Sequence, residues 1–343
     1  MMKKVYLSAP GEITVEETEI PVPTGNKVLI RVKATGICGT DVHGFLGESI
    51  FGPVFPFHIG HEVSGIVEET GKECKRIKKG DHVVIDPLIA CGVCDECRNG
   101  RSHFCDRNTT IGRTGPGGFS DYIMMPEGEV YPIDPAVPFN VACLAEPLSC
   151  VFHGIEVAEV SWGQSVLIKG AGGIGQMHLL AARLAGAKYV AVTDFNKAKL
   201  ERAVRLGADR AFCADSASSA DFLQDVPKGY DVIIDCTGSP KSITSATPLL
   251  RRRGTLLIFG VCPINSQVTF DPHDIYMREI QIKGSFCFPK STMTKVIGLM
   301  ESRRIDGQSL ISAEKHRDDL SKILREVSEG VYDGKVIVTA REA

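Results

Sequence analysis

Cys91, Cys94, Cys97 and Cys105 stand within fifteen residues in the spacing C-x2-C-x2-C-x7-C. With 12 cysteines in 343 residues, chance would put roughly half a cysteine in such a window. Four thiolates at short fixed spacing close a tetrahedral shell around Zn²⁺ with no open position, which is a structural site. The rival use of clustered cysteines is a disulfide knot, and that needs an oxidising compartment. The amino terminus, Met1-Met2-Lys3-Lys4, leads straight into Val5-Tyr6-Leu7-Ser8, with no apolar h-region and no cleavage site. The expectation is a reduced, cytoplasmic chain, with the other cysteines as scattered free thiols.

A length of 343 residues predicts two domains, because single hydrophobic cores stop growing below this size. The net charge of -3 offers no basic footprint for nucleic acid or anionic lipid. No apolar stretch reads as a membrane span.

Three regions differ in character. Residues 1–150 read as strands punctuated by prolines: 28–34 and 63–68 are rich in β-branched residues, and 81–85 follows a Lys-Lys-Gly turn. A partly closed antiparallel barrel is the expected result. Residues 151–285 alternate strands (165–169, 189–193, 231–235, 255–259) with helices (176–184, 197–206), the pattern of βαβ units in a doubly wound parallel sheet. The fold class is therefore α/β. Residues 286–343 carry a helical run at 320–327 and a final strand, 335–338, which has no partner nearby and is expected to return to the first domain. Arg251-Arg252-Arg253 reads as a solvated helix end before a glycine turn, and 217–220 as a polar loop.

Gly170-Ala171-Gly172-Gly173-Ile174-Gly175 fits G-x-G-x-x-G. It follows a strand, opens a helix, and meets Asp194 at the end of the next strand, which makes it a dinucleotide fingerprint. Gly170 permits the turn, Gly172 lets backbone approach a pyrophosphate, and Gly175 lets helix and strand pack closely. Free amides at the helix start hold the phosphate charge. Asp194 would accept hydrogen bonds from a ribose diol and repel a 2′-phosphate, favouring NAD over NADP.

A second set of ligand types is dispersed. Cys38 lies in Gly36-Ile37-Cys38-Gly39-Thr40-Asp41-Val42-His43, His61 and Glu62 follow Gly60, and Glu146 precedes Pro147. A Cys, a His and a carboxylate make three protein ligands and leave a place for water or substrate, as a catalytic zinc requires. By spacing alone, His61 reads equally as an ordinary histidine and Cys38 as a buried thiol.

These motifs, in this order and over essentially the whole length, resemble the zinc-dependent medium-chain alcohol dehydrogenases, in the branch that includes sorbitol (polyol) dehydrogenases and L-threonine 3-dehydrogenases. The resemblance implies a GroES-like catalytic domain with both zinc sites, a Rossmann domain, and an active site in the cleft between them. It implies two zinc ions per chain and NAD. Cys38 and His61 match catalytic zinc ligands, Glu62 the third ligand, and Glu146 a fourth position. Asp41 matches the carboxylate that orients the zinc-bound histidine, and Thr40 with His43 the proton relay. Thr237 and Val261, in turns that end later strands of the sheet, are candidates to contact the nicotinamide half. The family also implies a homo-oligomer, dimer or tetramer.

The expected reaction moves a hydride from a secondary alcohol to NAD and leaves a ketone. Glu146-Pro147-Leu148-Ser149 resembles the polyol branch, and a polyol, sugar or sugar-acid substrate is expected. Its pocket is placed near Phe51, Phe55, Phe57, Arg113, Phe119 and Phe288. L-Threonine is the alternative, since Thr40 with His43 is shared with that branch. A non-catalytic zinc and NAD module is the alternative from another class, and the separate Cys38, His61 and Glu62 set has no use in it.

Overall fold

The computed structural model describes residues 1–48 and 55–340. The chain divides into two compact units, residues 1–149 with 288–343, and residues 150–287.

In the first unit the strands are β1 (Met2–Ala9), β2 (Glu12–Thr18), β3 (Lys27–Gly36), β4 (Glu62–Thr70), β5 (His82–Ile85), β6 (Leu88–Ile89), β7 (Thr109–Thr110), β8 (Tyr122–Pro126) and β9 (Val130–Pro132). The second unit holds β10 (Ser165–Lys169), β11 (Tyr189–Asp194), β12 (Arg210–Cys213), β13 (Tyr230–Asp235), β14 (Leu250–Ile258) and β15 (Gln281–Gly284). The chain then returns to the first unit with β16 (Ile311–His316) and β17 (Lys335–Thr339).

The main sheet of the first unit runs β16-β17-β3-β4-β5-β9, with β8 also on β3. Strand β3 is its spine. Val28, Ile30 and Val32 alternate inward from it and meet Val63, Val67, Val83, Ile123 and Met125 in one apolar cluster. A second cluster joins Val5, Leu7, Ile37 and Phe45 to Leu320, Ile323 and Leu324 of the helix Leu320–Ser328 and to Val336 and Val338 of β17. Each such side chain, fully buried, is worth roughly 1.5–3 kcal/mol against exposure. Strand β17 pairs antiparallel with β3, Ile337 opposite Gly36, and β3 also sets Gly36 opposite Glu62 of β4.

The second unit is a six-stranded parallel sheet in the order β12-β11-β10-β13-β14-β15. Val166, Leu167 and Ile168 of β10 are wholly buried, as a central strand covered on both faces must be. The helix after β10 spans Gly173–Leu184 and begins inside the glycine loop, three residues before the expected start.

Two expectations are corrected. Arg251, Arg252 and Arg253 belong to strand β14, not to a helix end. Arg251 there meets Asp231 at 2.6 Å, and Arg253 lies 3.3 Å from Glu279, so carboxylates rather than a helix dipole draw them. The segment read as a polar loop starts a helix, Ser219–Leu223, because the Ser218 hydroxyl accepts from the Asp221 amide while the Asp221 carboxylate reaches back to the Ser218 amide. The run Phe139–Ala158 is apolar and long enough to cross a membrane, yet 72% of its most apolar window is buried inside the fold, as in a core helix.

Candidate active site and metal centres

Cys91, Cys94, Cys97 and Cys105 are brought together, with all four sulfur atoms within 4.8 Å of one another. Cys94 Sγ lies 3.5 Å from Cys97 Sγ and 3.8 Å from Cys105 Sγ, and all four are free thiols. Backbone amides aim at the sulfurs: Cys94 N–H donates to Cys91 Sγ (3.4 Å), Cys91 N–H to Cys105 Sγ (3.3 Å), and Arg107 N–H to Cys105 Sγ (3.4 Å). The amides of Val93 and Cys94 pull the Cys91 thiol down to about 6. Amide donors that stabilise thiolate suit a zinc site made of four cysteines.

Cys38, His61 and Glu62 form the second group, with one ligand atom from each lying within 4.8 Å of the others. Cys38 caps the helix Gly39–Leu46, and its amide donates to Asp41 Oδ2 at 3.0 Å. Asp41 is buried. Its Oδ1 accepts from the Gly60 amide at 2.8 Å and lies 3.7 Å from His61 Nδ1. One carboxylate thus ties the Cys38 turn to the His61 loop and orients the imidazole. Burial opposes ionisation of Asp41, but His61 and the two amides outweigh it and hold the carboxyl low. Burial likewise lowers His61, yet the charges of Cys38 and Asp41 overcome this and raise it well above its ordinary range. A pocket that so favours positive charge suits a cation.

Glu62 is buried beneath a lysine absent from the sequence reading. Lys335 Nζ sits 2.6 Å from Glu62 Oε1 and 2.5 Å from Oε2, and it also donates to the Ile37 carbonyl at 2.7 Å. Burial would lower the Lys335 ammonium, but Glu62 and Cys38 reverse the direction and raise it. Gly36 makes the arrangement possible: a Cβ there would stand 2.0 Å from Glu62 Oε2. The only local signal for this pair is a lysine heading an otherwise apolar strand.

The other candidates are placed as follows. The Thr40 hydroxyl is 3.7 Å from Cys38 Sγ. His43, one turn further along the same helix, is half exposed, with Nδ1 3.5 Å from Glu48 Oε2. Glu146 lies buried in the first turn of the helix Ala145–Ala158 and is not part of the three-residue group. Phe119 packs in the apolar cluster with Ile37 and Phe45, against which Phe55 and Phe57 lean. Phe288 is equally buried, and Arg113 faces solvent. Phe51 lies outside the described residues.

In the second unit Gly170 adopts φ +99°, and a Cβ on Gly175 would stand 1.8 Å from the Gly170 carbonyl, so the helix can lie on the strand only through glycine. Gly172 faces open space, the clearance a ligand phosphate requires, and Gly173 with Ile174 opens the helix. Asp194 Oδ2 accepts from the Ala171 amide at 2.7 Å and Oδ1 from the Asn196 amide at 2.8 Å, so the carboxylate braces the glycine loop. The Thr237 hydroxyl donates to Asp235 Oδ1 at 2.9 Å and accepts from the Ser239 amide at 3.1 Å. That hydroxyl therefore works inside its own turn, while Val261 is exposed.

Residues 24–135 match the alcohol dehydrogenase GroES-like domain, and residues 173–302 match the zinc-binding dehydrogenase domain. D-Altritol 5-dehydrogenase of Agrobacterium fabrum is 32% identical over 89% of this chain and 90% of its own. L-Threonine 3-dehydrogenase of Burkholderia multivorans is 31% identical over 96% of each. A zinc-binding dehydrogenase of Sinorhizobium meliloti 1021, solved bound to NADP, superposes with a TM-score of 0.91 at 32% identity over 99% of each chain. The chain is an oxidoreductase that uses zinc and a nicotinamide dinucleotide to act on a small-molecule alcohol. The seven-stranded sheet of the first unit with its two ligand groups, the parallel sheet with its glycine loop, and these matches place the chain in the zinc-binding dehydrogenase family, with a GroES-like domain of the alcohol dehydrogenase type.

Proposed function

We propose that this chain oxidises a secondary alcohol of the polyol, sugar or sugar-acid type to a ketone, with Cys38, His61 and Glu62 holding a catalytic zinc and Cys91, Cys94, Cys97 and Cys105 a structural one. The observation that carries this is the convergence of Cys38, His61 and Glu62 within 4.8 Å, set by the Asp41 brace. Zinc bound there would lower the pKa of an oxygen it holds from about 16 toward about 7. The dinucleotide supplies the hydride acceptor.

The chain's own residues then manage the proton. Thr40 sets a hydroxyl beside Cys38 Sγ and can accept the proton released by the alcohol. His43, three residues on and therefore on the same helix face, is the next station and opens to solvent beside Glu48. Glu146, buried in the first turn of the helix Ala145–Ala158 and outside the three-residue group, is the candidate for a fourth, alternative ligand. Lys335 pins the Glu62 carboxylate and keeps two anionic ligands tolerable in a buried site.

The Asp194 carboxylate favours NAD, because its charge repels a 2′-phosphate at the edge of the glycine loop. Thr237 and Val261, through their backbone turns, face the nicotinamide half. A homo-oligomer is expected, which sizing of the purified protein tests.

Similarity to a D-altritol 5-dehydrogenase favours a polyol, and similarity to L-threonine 3-dehydrogenases keeps L-threonine as the second reading. A panel of polyols, sugar acids, inositols and L-threonine, assayed by NADH and NADPH production alongside zinc content, decides. Turnover of L-threonine alone would overturn the substrate assignment. A single zinc without turnover would overturn the catalytic site.

A further inference from the structure

A charged network lies buried under the ends of β10, β13 and β14. Lys169 is the last residue of β10, directly before Gly170, and only 8% exposed. Its ammonium turns away from solvent to donate to the Ser242 carbonyl at 2.6 Å, within the helix Pro240–Thr244, and to the hydroxyl of Ser245, which caps that helix, at 2.7 Å. The Ser242 hydroxyl in turn donates to Asp235 Oδ2 in a short hydrogen bond. Asp235, at the end of β13, is completely buried. Its Oδ1 accepts from the Thr237 amide at 3.1 Å, the Thr237 hydroxyl at 2.9 Å and the Gly238 amide at 3.2 Å.

The backbone closes the same knot. The Lys169 carbonyl accepts from the Cys236 amide at 2.8 Å, and the Asp235 carbonyl from the Phe259 and Gly260 amides at 3.0 and 2.8 Å. A Cβ on Gly238 would stand 2.3 Å from the Val261 carbonyl, so the 236–238 and 259–261 turns lie in direct contact. The glycine loop and both later turns therefore share one buried support, and a lysine placed there costs desolvation that a purely structural apolar residue would avoid.

We infer that Lys169, Ser242 and Asp235 are positioning residues for the dinucleotide, fixing the 236–238 turn against the glycine loop so that the cofactor meets a preformed surface. The inference rests on the assignment of these turns to the cofactor. Among the described residues Asp235 is the charged group that bears on the Lys169 ammonium, while its two hydrogen-bond partners, the Ser242 carbonyl and the Ser245 hydroxyl, are neutral. Burial outweighs Asp235 and brings Lys169 down to about 8. The Lys169 ammonium is therefore mostly present at pH 7 and mostly lost by pH 9.

NADH titration of the zinc-loaded protein by fluorescence, at pH 7 and pH 9, tests this with Lys169→Met and Ser242→Ala. The expected result for Lys169→Met at pH 7 is about a tenfold weaker affinity, one charge-assisted hydrogen-bonding partner's worth. Ser242→Ala should show a smaller loss in the same direction, and both variants should keep two zinc ions per chain. Wild-type affinity should fall between pH 7 and 9, and that of Lys169→Met should stay flat, a difference that mere structural support would not produce. In steady state the variants should raise KM for the cofactor more than they lower kcat. Wild-type affinity and pH profile in both variants would overturn the inference. If Lys169→Met does not fold, unchanged affinity in Ser242→Ala alone overturns it. Failure of the wild-type protein to bind NADH would overturn the dinucleotide assignment itself, a separate result.

Discussion

Acid should destabilise the second unit through one residue, His178. It lies in the helix Gly173–Leu184, is 0% exposed, and neither ring nitrogen has a hydrogen-bond partner among the described residues. Its ring stands edge-on to Phe259 at 4.5 Å, and a Cβ on Gly154 would come within 3.0 Å of its Cε1, so the ring is closely packed on both of those sides. Burial therefore holds His178 neutral, with its pKa lowered from 6.5 to about 3. Below pH 6.5 the unfolded chain takes up a proton that the folded one refuses, so stability falls with falling pH until the folded pKa is reached. At about 1.4 kcal/mol per unit, the whole shift from 6.5 to about 3 amounts to about 5 kcal/mol. By pH 5 about 2 kcal/mol is lost, a drop of about 4 to 8 °C in Tm for a unit of this size. The perturbation is His178→Leu, which removes the titration and keeps an apolar filling. Thermal unfolding of both proteins at pH 7.5 and pH 5 gives the difference, since every other titrating group is common to them. The wild type should lose about 2 kcal/mol more than the variant. Near pH 7.5 the variant should be no less stable, because an unpartnered buried ring nitrogen already costs about 1–3 kcal/mol. Parallel pH curves would refute the reasoning.

Two further results are expected. Gly36→Ala drives a methyl group onto Glu62 Oε2, so bound zinc should fall from two per chain to about one while the cysteine quartet stays loaded; two zinc ions by metal analysis would count against Glu62 as a ligand. Cys94→Ser removes a sulfur that stands 3.5 and 3.8 Å from two others, and should release the structural zinc and open residues 88–110 to protease, with any surviving activity still confined to the Cys38 site; an uncut, fully metallated variant would contradict the assignment of the quartet to structural zinc.

The parts of this chain that can be read in advance are those whose chemistry is local. The cysteine quartet and the glycine loop each carry their meaning within fifteen residues, and the apolar run of β10 announces a buried parallel strand. Lys335 is opaque for the opposite reason: its partners are Ile37 and Glu62, and only the register of β17 on β3 and β3 on β4 brings them together. The arginines of β14 mislead because three charges before a glycine look like a helix end, whereas an edge-ward strand start with acidic neighbours accommodates them equally. The helix at Ser219 escapes a periodicity argument because its signal is a capping box of two side chains rather than an apolar repeat. Thr237 is picked out in the sequence only by its place in a strand-end turn, and that its hydroxyl bonds back to the buried Asp235 is visible only in the fold.

The bond from Lys335 to the Ile37 carbonyl spans 298 positions. At about 5 to 20 residues per second, a ribosome needs about 15 to 60 s between making the first partner and the second. Until then Glu62 lacks its Lys335 partner, and a nascent chain that captured zinc at Cys38 and His61 would hold it in a half-built nest. The quartet, complete by Cys105, suffers no such delay. With the metal sites as proposed above, the two ions should enter in a fixed order during synthesis, that of the quartet early and that of Cys38 and His61 only after the tail has come home.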